Sequence, residues 1–475
     1  ISELISRLTI DRLHIVGDIF DRGPGAHIVM DALTRYHDVD LQWGNHDMLW
    51  MGAAAGCDAL IATAVINSLK YGNIDTLEEG YGISLSPLIA FALSAYRDDP
   101  CLRFMPKLLD AEGGAPADPH VAAKVHKAMA VILFKLEAAL IRRNPHFHME
   151  NRLLLDKVDY AAGTVRIGES VWPLADARFP TVLPSAPGAL SETEADIVFK
   201  LRRAFLHSEK LQEHVRFLLA HGGMYLTCND NLLFHGCVPT DEHGDFIPVE
   251  LPDGSRAAGR AYLDRADALV RAAFAERPGS PARERAADFL WYLWCGPHSP
   301  LFGKDQMTTF ERYFIADKAA HTEHKSTYFR LAEEGWFADR LLQEFGLDPA
   351  RAHIINGHVP VKIRKGESPV KADGKLIVID GGMSKAYQTE TGIAGYTLIY
   401  SSNELALSCH DPFVTVEEAV KNEVDIHSTQ TVVRQFERRM LVADTDRGAE
   451  LKAQIRDLQR LLSAYRSGRI KERLV

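Results

Sequence analysis

Between residues 11 and 47 the chain alternates apolar runs with amphipathic and polar stretches, which predicts a β-α-β unit. "LHIVG" predicts a buried strand, "GAHIVMDALTRYH" has the spacing of an amphipathic helix, and "VDLQW" predicts the next strand. Each strand runs into a glycine and then a polar cluster, "GDIFDRG" at 17–23 and "GNHD" at 44–47. Because ligand sites in α/β sheets lie beyond the carboxyl ends of strands, we expect both clusters to face one site.

Residues 51–220 have a different pattern, which predicts a mostly helical insertion. A long amphipathic helix is expected over 119–143 and another over 191–218, opened by the capping box of Ser191 and Glu194. The proline-rich stretch 171–190 is expected to be a loop.

The strand pattern returns at 221. "MYLTCNDNLLFHGCV" predicts two strands around the turn "CNDN", and "AHIING", "KLIVIDGG" and "GYTLIYSSNELALSCH" predict further strands. We therefore expect a core of residues 1–50 and 221–415, followed by a helical tail at 416–475. One face of that tail carries apolar residues, which would pack on the core or against a second protomer: Leu451, Ile455, Leu458 and Leu462.

Composition and charge narrow the class of protein. The 475 residues are 46% hydrophobic and 25% charged, which is typical of a soluble globular protein. A net charge of −10 argues against bulk attraction to nucleic acid or anionic membranes. The six cysteines are scattered without a C-x-x-C pair, and no apolar run approaches the roughly 18 residues of a membrane span. These features indicate a cytoplasmic protein whose partner is neither nucleic acid nor a membrane.

Four predicted strands end in Asp, Asn or His close to a glycine. The residues concerned are Asp18, Asn45, His235 and His358. Such a mixture of oxygen and imidazole ligands suits Mn, Fe or Zn better than Ca. A carboxylate that bridges two metals would give a two-metal hydrolytic centre, and the metals would let a negatively charged protein hold phosphate.

The motifs G-D-x-x-D-R-G and G-N-H-D, with single histidines on later strands, resemble the calcineurin-like metallophosphoesterase superfamily. "DLQWGNHDMLWMGAAAG", "NPHFHMENRLLLDKVDY" and "SPLFGKDQMTTFERYF" resemble more narrowly the class III fructose-1,6-bisphosphatase family of bacteria, over nearly the whole chain. The resemblance implies an α/β fold, a metallophosphoesterase β-sandwich flanked by helices. It also implies Mn²⁺-dependent hydrolysis of the 1-phosphate of fructose 1,6-bisphosphate in gluconeogenesis, by a protein that could form a homo-oligomer.

The resemblance also implies metal ligands. Asp18 would bridge both metals, and Asn45, His235 and His358 would bind the second. The superfamily's D-x-H motif, which completes the first metal site, does not occur in the sixteen residues before Gly17. We therefore expect it upstream of Ile1.

The same resemblance assigns catalytic roles. His46 would act as general acid or hydrogen-bond donor to the leaving oxygen, with Asp47 as its orienting partner. Arg22 would bind a phosphate oxygen. Asp21 would support Arg22 or a metal ligand, or close the loop.

Several other polar residues have two interpretations. The late D-x-H at Asp425–His427 follows no apolar strand and is expected to be structural. His353 competes with His358, which we favour because it follows the carboxyl end of its strand. His146 and His148 would pack or contact substrate rather than bind a third metal. Asp380 would support a metal ligand or form a turn.

A substrate with two phosphates needs a second cationic contact. The candidates are Lys304 and Arg312, followed by Lys362 and Arg364, and surface charge is the alternative for each. Two rival functions use the same motifs: hydrolysis of a phosphoprotein or dinucleoside polyphosphate, and binding of sugar phosphate with weak catalysis.

Overall fold

The computed structural model describes residues 1–107, 118–380, 382–383, 388, 391–412, 416–423 and 427–471. The fold is mixed α/β. The strands among these residues are β1 Leu13–Ile15, β2 Val39–Gln42, β3 Val158–Asp159, β4 Thr164–Ile167, β5 Ser170–Pro173, β6 Gly222–Gly223, β7 Tyr225–Cys228, β8 Asn231–Phe234, β9 Val249–Glu250, β10 Arg256–Ala257, β11 His353–Asn356, β12 Val370–Lys371, β13 Leu376–Val378, β14 Tyr396–Tyr400, β15 Glu404–His410 and β16 Ser428–Gln435.

The α-helices with bounds inside these residues are α1 Ser2–Thr9, α2 Ala26–Thr34, α3 Asn45–Ala55, α4 Asp58–Tyr71, α5 Ser86–Ala95, α6 Pro119–Arg143, α7 Glu192–His207, α8 Glu209–His221, α9 Gly259–Ala275, α10 Pro281–Cys295, α11 Thr309–Phe314, α12 Tyr328–Leu331, α13 Gly335–Glu344, α14 Val416–Asn422 and α15 Asp446–Arg466. No helix in the described ranges is both long and apolar enough to cross a membrane.

The predicted β-α-β unit at the start of the chain is confirmed. Strands β1 and β2 pair in parallel, with Leu13 opposite Val39, and α2 forms the crossover between them. Strand β6 adds to the far side of β2, so the sheet order is β1-β2-β6. The carboxyl ends of β1 and β2 therefore lie side by side and present the two polar clusters together.

A second, five-stranded sheet has the order β12-β13-β11-β8-β7. The predicted hairpin around "CNDN" is confirmed, because β7 and β8 pair antiparallel and Asn229 and Asp230 both have positive φ, as tight hairpin turns require. Strands β8, β11 and β13 run parallel, so the residues after them, His235 and His358 among them, lie at one edge of the sheet.

Helices α4 and α6 form much of the apolar core of the 51–220 region. Leu60, Val65, Val131 and Ile132 are fully buried, and α6 has the predicted bounds of 119–143. Two lysines of α6, Lys127 and Lys135, are fully buried among these apolar residues.

The single helix expected over 191–218 is wrong in one respect, since two helices, α7 and α8, meet at Ser208. Ser208 has an extended backbone, accepts from Leu211 N and donates its hydroxyl to Tyr81 O at 2.6 Å. A serine that caps the second helix and anchors it to a distant carbonyl ends the first one. The capping box of Ser191 and Glu194 is confirmed.

The 51–220 region also contains an antiparallel sheet that the sequence pattern did not predict, β3-β4-β5. Strand β5, Ser170–Pro173, takes the first residues of the stretch expected to be a loop. Residues 175–190 form neither helix nor strand, as their prolines predict.

The tail differs from the expected helical segment in two ways. Strand β16 lies between α14 and α15 and pairs antiparallel with β15. Its β-branched residues at 429 and 431–433 favour a strand, and the charge of the flanking residues obscured that signal. The apolar face of α15 does not pack on the core of the described residues, since Ile455 and Leu458 remain 53% and 64% exposed.

Candidate active site

Three predicted ligands converge where the two sheets meet. The closest ligand atoms of Asp18, His235 and His358 all lie within 4.8 Å of one another. Nε2 of His235 is 3.3 Å from Asp18 Oδ2 and 3.2 Å from Nδ1 of His358. In the part of the chain that the structure describes, no other group of three or more His, Cys, Asp or Glu side chains brings its ligand atoms this close together.

Backbone carbonyls determine which nitrogen each histidine offers. Nδ1 of His235 donates to Val16 O at 2.8 Å, and Nε2 of His358 donates to Phe302 O at 3.0 Å. The remaining nitrogens therefore direct their lone pairs at each other and at the carboxylate of Asp18. Lone pairs that converge in this way need a proton or a metal cation between them, so the residues fit a metal ion.

A proton has that position in the metal-free protein. Burial alone would lower the pKa of His235, but the charge and hydrogen bond of Asp18 outweigh it and raise the pKa to about 9. Burial and the neighbouring His235 together lower the pKa of His358 to about 3. Burial alone would raise the pKa of Asp18, but the charge of His235 holds it well below its ordinary value.

Two glycines allow the loops to approach this closely. Asp18 has a positive φ of 59°, and a Cβ on Gly44 would lie 2.1 Å from its Oδ1. Gly17, at φ +87°, has the same restriction, since a Cβ there would meet Nδ1 of His235 at 2.7 Å. The glycines before the two polar clusters are thus required by the close approach of the site's own backbone.

Asn45 supplies a further unpaired acceptor. It begins α3 and is buried, and its Oδ1 has no hydrogen-bond partner among the described residues. A buried amide oxygen without a partner is costly unless a ligand binds it. This observation fits the expected role of Asn45 as a metal ligand.

Asp47 has a different function from the one expected. Its carboxylate accepts from the backbone N–H groups of Asp18, Ile19, Phe20 and Gly44, at 2.8–3.3 Å. Asp47 is the third residue of α3, where an acidic side chain folds back to the helix start. It therefore fixes the loop that carries Asp18 and does not orient His46.

Asp21 is the residue that contacts His46. Nε2 of His46 lies 3.0 Å from Asp21 Oδ1, and the imidazole packs edge-on against Trp294. The same carboxylate oxygen is 3.7 Å from Nε of Arg22, whose guanidinium lies 5.4 Å from the centre of the Tyr71 ring. His46, Asp21 and Arg22 thus form a connected group beside the ligand cluster.

These groups line one cleft of about 1950 Å³. The predicted substrate-binding residues Lys304 and Arg312 also line it, and both contact Glu323, at 2.7 and 3.3 Å. Burial alone would raise the pKa of Glu323, but Lys304 and Thr308 lower it to about 2. Glu323 therefore already neutralises part of this positive charge. Lys362 lines the cleft as well.

The remaining histidine candidates lie outside the cluster. His353 starts β11 and is buried three residues before the strand end, so the structure brings His358 and not His353 to Asp18. His146 contacts Phe147, and the exposed His148 lies 3.5 Å from Glu250.

Two acidic candidates have simpler outcomes. Asp380 accepts from Gly382 N at 2.9 Å, as a turn residue does. Asp425 and Ile426 of the late D-x-H lie outside the described residues.

Sequence reasoning missed three residues at the end of α4. Lys70 and Tyr71 line the cleft, and Asn73 donates from Nδ2 to Arg22 O at 2.7 Å. The available signal was "KYGN", a lysine, an aromatic residue and an amide around a helix-ending glycine.

Comparison with known proteins identifies the family. A family model described as Firmicute fructose-1,6-bisphosphatase matches residues 1–467. The chain belongs to this fructose-1,6-bisphosphatase family. A fructose-1,6-bisphosphatase class 3 from Alkaliphilus metalliredigens is 53% identical over 472 residues, which are 99% of this chain and 71% of the relative. Class 3 fructose-1,6-bisphosphatases from Clostridium novyi and Bacteroides fragilis are 52% and 51% identical, with the same coverage. No solved structure matches the chain.

Proposed function

We propose that this protein is a metal-dependent phosphatase that hydrolyses the 1-phosphate of fructose 1,6-bisphosphate in gluconeogenesis. The observation that carries the proposal is the convergence of Asp18, His235 and His358 beside Arg22 in one cleft. Relatives that are about half identical over 99% of the chain carry the name fructose-1,6-bisphosphatase class 3. In this proposal the two sheets that meet at the site are the layers of a metallophosphoesterase sandwich.

Asp18, His235, His358 and Asn45 would hold the metal. Carboxylate, amide and imidazole ligands suit Mn²⁺, with Fe or Zn as alternatives, and the second ion of a pair would share Asp18. When bound, divalent cations of this kind lower the pKa of water and neutralise phosphoryl oxygens. Asp47 keeps Asp18 in position through the loop backbone.

The other residues act on the substrate directly. Asp21 Oδ1 lies 3.0 Å from His46 Nε2 and positions the imidazole, which would act on the leaving alkoxide oxygen. Arg22 is partly exposed at the cleft and presents a guanidinium to a phosphate oxygen. Trp294, packed edge-on against His46, shields one side of the imidazole from water.

A phosphate-release panel with Mn²⁺ tests the proposal. Fructose 1,6-bisphosphate, a phosphopeptide and a dinucleoside polyphosphate are compared at equal concentration, and we expect release from the sugar bisphosphate to dominate. Preferred release from either of the others would replace the substrate. Binding of the sugar phosphate without turnover would replace the reaction.

We further propose a cytoplasmic homo-oligomer. All six cysteines are free, which supports a reducing compartment. The exposed apolar face of α15 supports contact with a second copy of the chain. Light scattering of the wild type and of Leu458→Asp tests this contact. A lower mass for the variant is expected, and equal masses would exclude the helix from the interface.

A further inference from the structure

Lys70 is one of the cations that line the cleft. It lies in the last turn of α4, half-buried, and lines the same cleft as Asp18. Its Nζ is 5.4 Å from the centre of the Tyr71 ring and 5.8 Å from that of Tyr313. Within the described ranges, no carboxylate oxygen lies within 4.0 Å of Lys70 Nζ, the distance that defines an ion pair. Its neighbours are therefore aromatic faces rather than an anion.

The charges nearest to Lys70 are mostly of the same sign. Burial and then the charges of Lys107, Arg22 and Arg312 lower its pKa to about 8. The acidic group nearby is Glu323, which Lys304 and Thr308 already contact at 2.7 and 2.8 Å. A half-buried group of like charges is unfavourable by itself, and a bound anion would relieve it.

Hydrogen bonds to backbone carbonyls join the segments that carry Lys70, Arg22 and Lys107. Gly72, at φ 75°, ends α4 directly after Tyr71, and Asn73 then donates to the carbonyls of Arg22 and Gly23. Lys107 N donates to Lys70 O at 2.7 Å. The three segments that carry these cations are thereby held next to one another before any ligand arrives.

We propose that Lys70, Lys107 and Arg312 form a second phosphate subsite beside Arg22, and that this subsite binds the phosphate of a sugar bisphosphate that is not cleaved. The inference rests on the proposed function and extends it. A phosphate dianion carries close to two negative charges and three acceptor oxygens, so it can contact several of these cations at once. A neutral sugar hydroxyl would leave their mutual repulsion unchanged. Lys304 is already bound to Glu323. Lys70, rather than Lys304, is therefore the principal lysine that would contact the uncleaved phosphate.

The test compares two substrates that share the scissile ester, fructose 1,6-bisphosphate and fructose 1-phosphate. For Lys70→Met we expect KM for the bisphosphate to rise about 10- to 100-fold, since hydrogen bonds to charged groups are lost. Turnover of the monophosphate, which has nothing to place in the subsite, should stay within about twofold of the wild type. Lys70→Arg should retain most of the affinity for the bisphosphate. The matched control is Lys200→Met, which removes an exposed lysine of α7.

Lys107→Met provides a second variant if Lys70→Met is unstable, since Lys107 is exposed. We expect the same shift in KM for the bisphosphate, but smaller. The subsite would be overturned if a variant impaired turnover of the bisphosphate and of the monophosphate to the same extent. It would also be overturned if KM for the bisphosphate were unchanged in both variants.

Calorimetric binding of fructose 6-phosphate separates the subsite from the proposed reaction. This ligand keeps the second phosphate and lacks the scissile one, so its binding needs no turnover. Binding that Lys70→Met weakens, in a protein that releases no phosphate, would reject the reaction and keep the subsite. Normal turnover with unchanged binding in the variant would keep the reaction and reject the subsite.

Discussion

Helix α6 and the ligand cluster both bury polar groups, but they differ in how completely those groups are paired. On α6, Lys135 Nζ contacts both carboxylate oxygens of Glu194 at 2.7 and 3.0 Å and donates to Thr181 O. Lys127 lies between two carboxylates, at 2.6 and 2.7 Å. In the cluster, histidine lone pairs face each other and Asn45 Oδ1 has no partner among the described residues.

The difference distinguishes structural from functional burial of polar groups. A network in which every donor and acceptor is satisfied fixes the packing of a helix and has no capacity for a ligand. A network with convergent, unsatisfied acceptors is costly until a proton or a ligand binds to it. The two regions should therefore respond in opposite ways to removal of a charge.

Asp18→Asn should have the largest effect. Loss of the shared carboxylate should lower kcat by about 10³-fold or more, because metal ions supply several kcal/mol of transition-state stabilisation. The fold should persist, since an asparagine oxygen can still accept from His46 N. Phosphate release, Mn²⁺ content and thermal unfolding are measured, with exposed Asp196→Asn as control. Retained kcat would contradict the assignment of Asp18.

His46→Asn should separate catalysis from metal binding. We expect kcat to fall by ~10²–10⁴-fold, as for loss of a general acid, with Mn²⁺ affinity retained. Asp21→Asn should also lower kcat, but by a smaller factor. An unchanged kcat for His46→Asn would remove this residue from the mechanism.

Lys135→Met should produce the opposite profile. The variant leaves the fully buried Glu194 unpaired, so the free energy of unfolding should fall by roughly 3–5 kcal/mol. Activity per folded molecule should stay unchanged, as measured by urea unfolding and by phosphate release. Adding Glu194→Gln removes the unpaired charge and should restore part of the stability. A change in kcat without loss of stability would reverse the comparison.

The dependence of metal affinity on pH should be the mildest effect. The pKa of His235 is about 9 in the metal-free protein, so a cation must displace its proton at lower pH. Apparent Mn²⁺ affinity should rise by up to about tenfold per pH unit toward pH 9 and then level off. A competition titration with a fluorescent chelator measures this slope. Constant affinity over the range would show that no proton is displaced.

The same proton stabilises the metal-free fold. The pKa of His235 is higher in the folded chain than the roughly 6.5 of an unfolded one. Its stabilising contribution is therefore fully present below about pH 6.5 and is lost as pH rises toward 9. Bound metal should remove that loss, which thermal unfolding with and without Mn²⁺ can measure.

Much of the fold could be predicted because its signals are local. Strands β1, β2, β8 and β11 are apolar runs that end near a glycine, and the parallel pairing of β8 with β11 then brings His235 and His358 to one edge. Strand β16 and the break at Ser208 were missed for a different reason. Pairing with β15 and a hydrogen bond to Tyr81 O decide those structures, and neither partner is close in sequence.

The sequence predicted which residues lie at the site better than it predicted which of them contact one another. Asp47 directly follows His46, whereas Asp21 lies in the other motif, and only the folded arrangement of the two motifs shows that Asp21 contacts the imidazole. Lys70 was missed because "KYGN" is only a weak signal, and the proposed role of Lys70 depends on the packing of α4 against the loop of Arg22. Motif spacing contains no information on that contact.

The hydrogen bonds from Asn73 to Arg22 O and Gly23 O have a mechanical consequence. They attach the end of α4 to the Arg22 loop, so the two must move as one piece. A displacement of α4 away from the sheet would withdraw Lys70 and Arg22 together. Both ends of a bound sugar bisphosphate would then lose their cations in a single step, and product release would be governed by the motion of one helix.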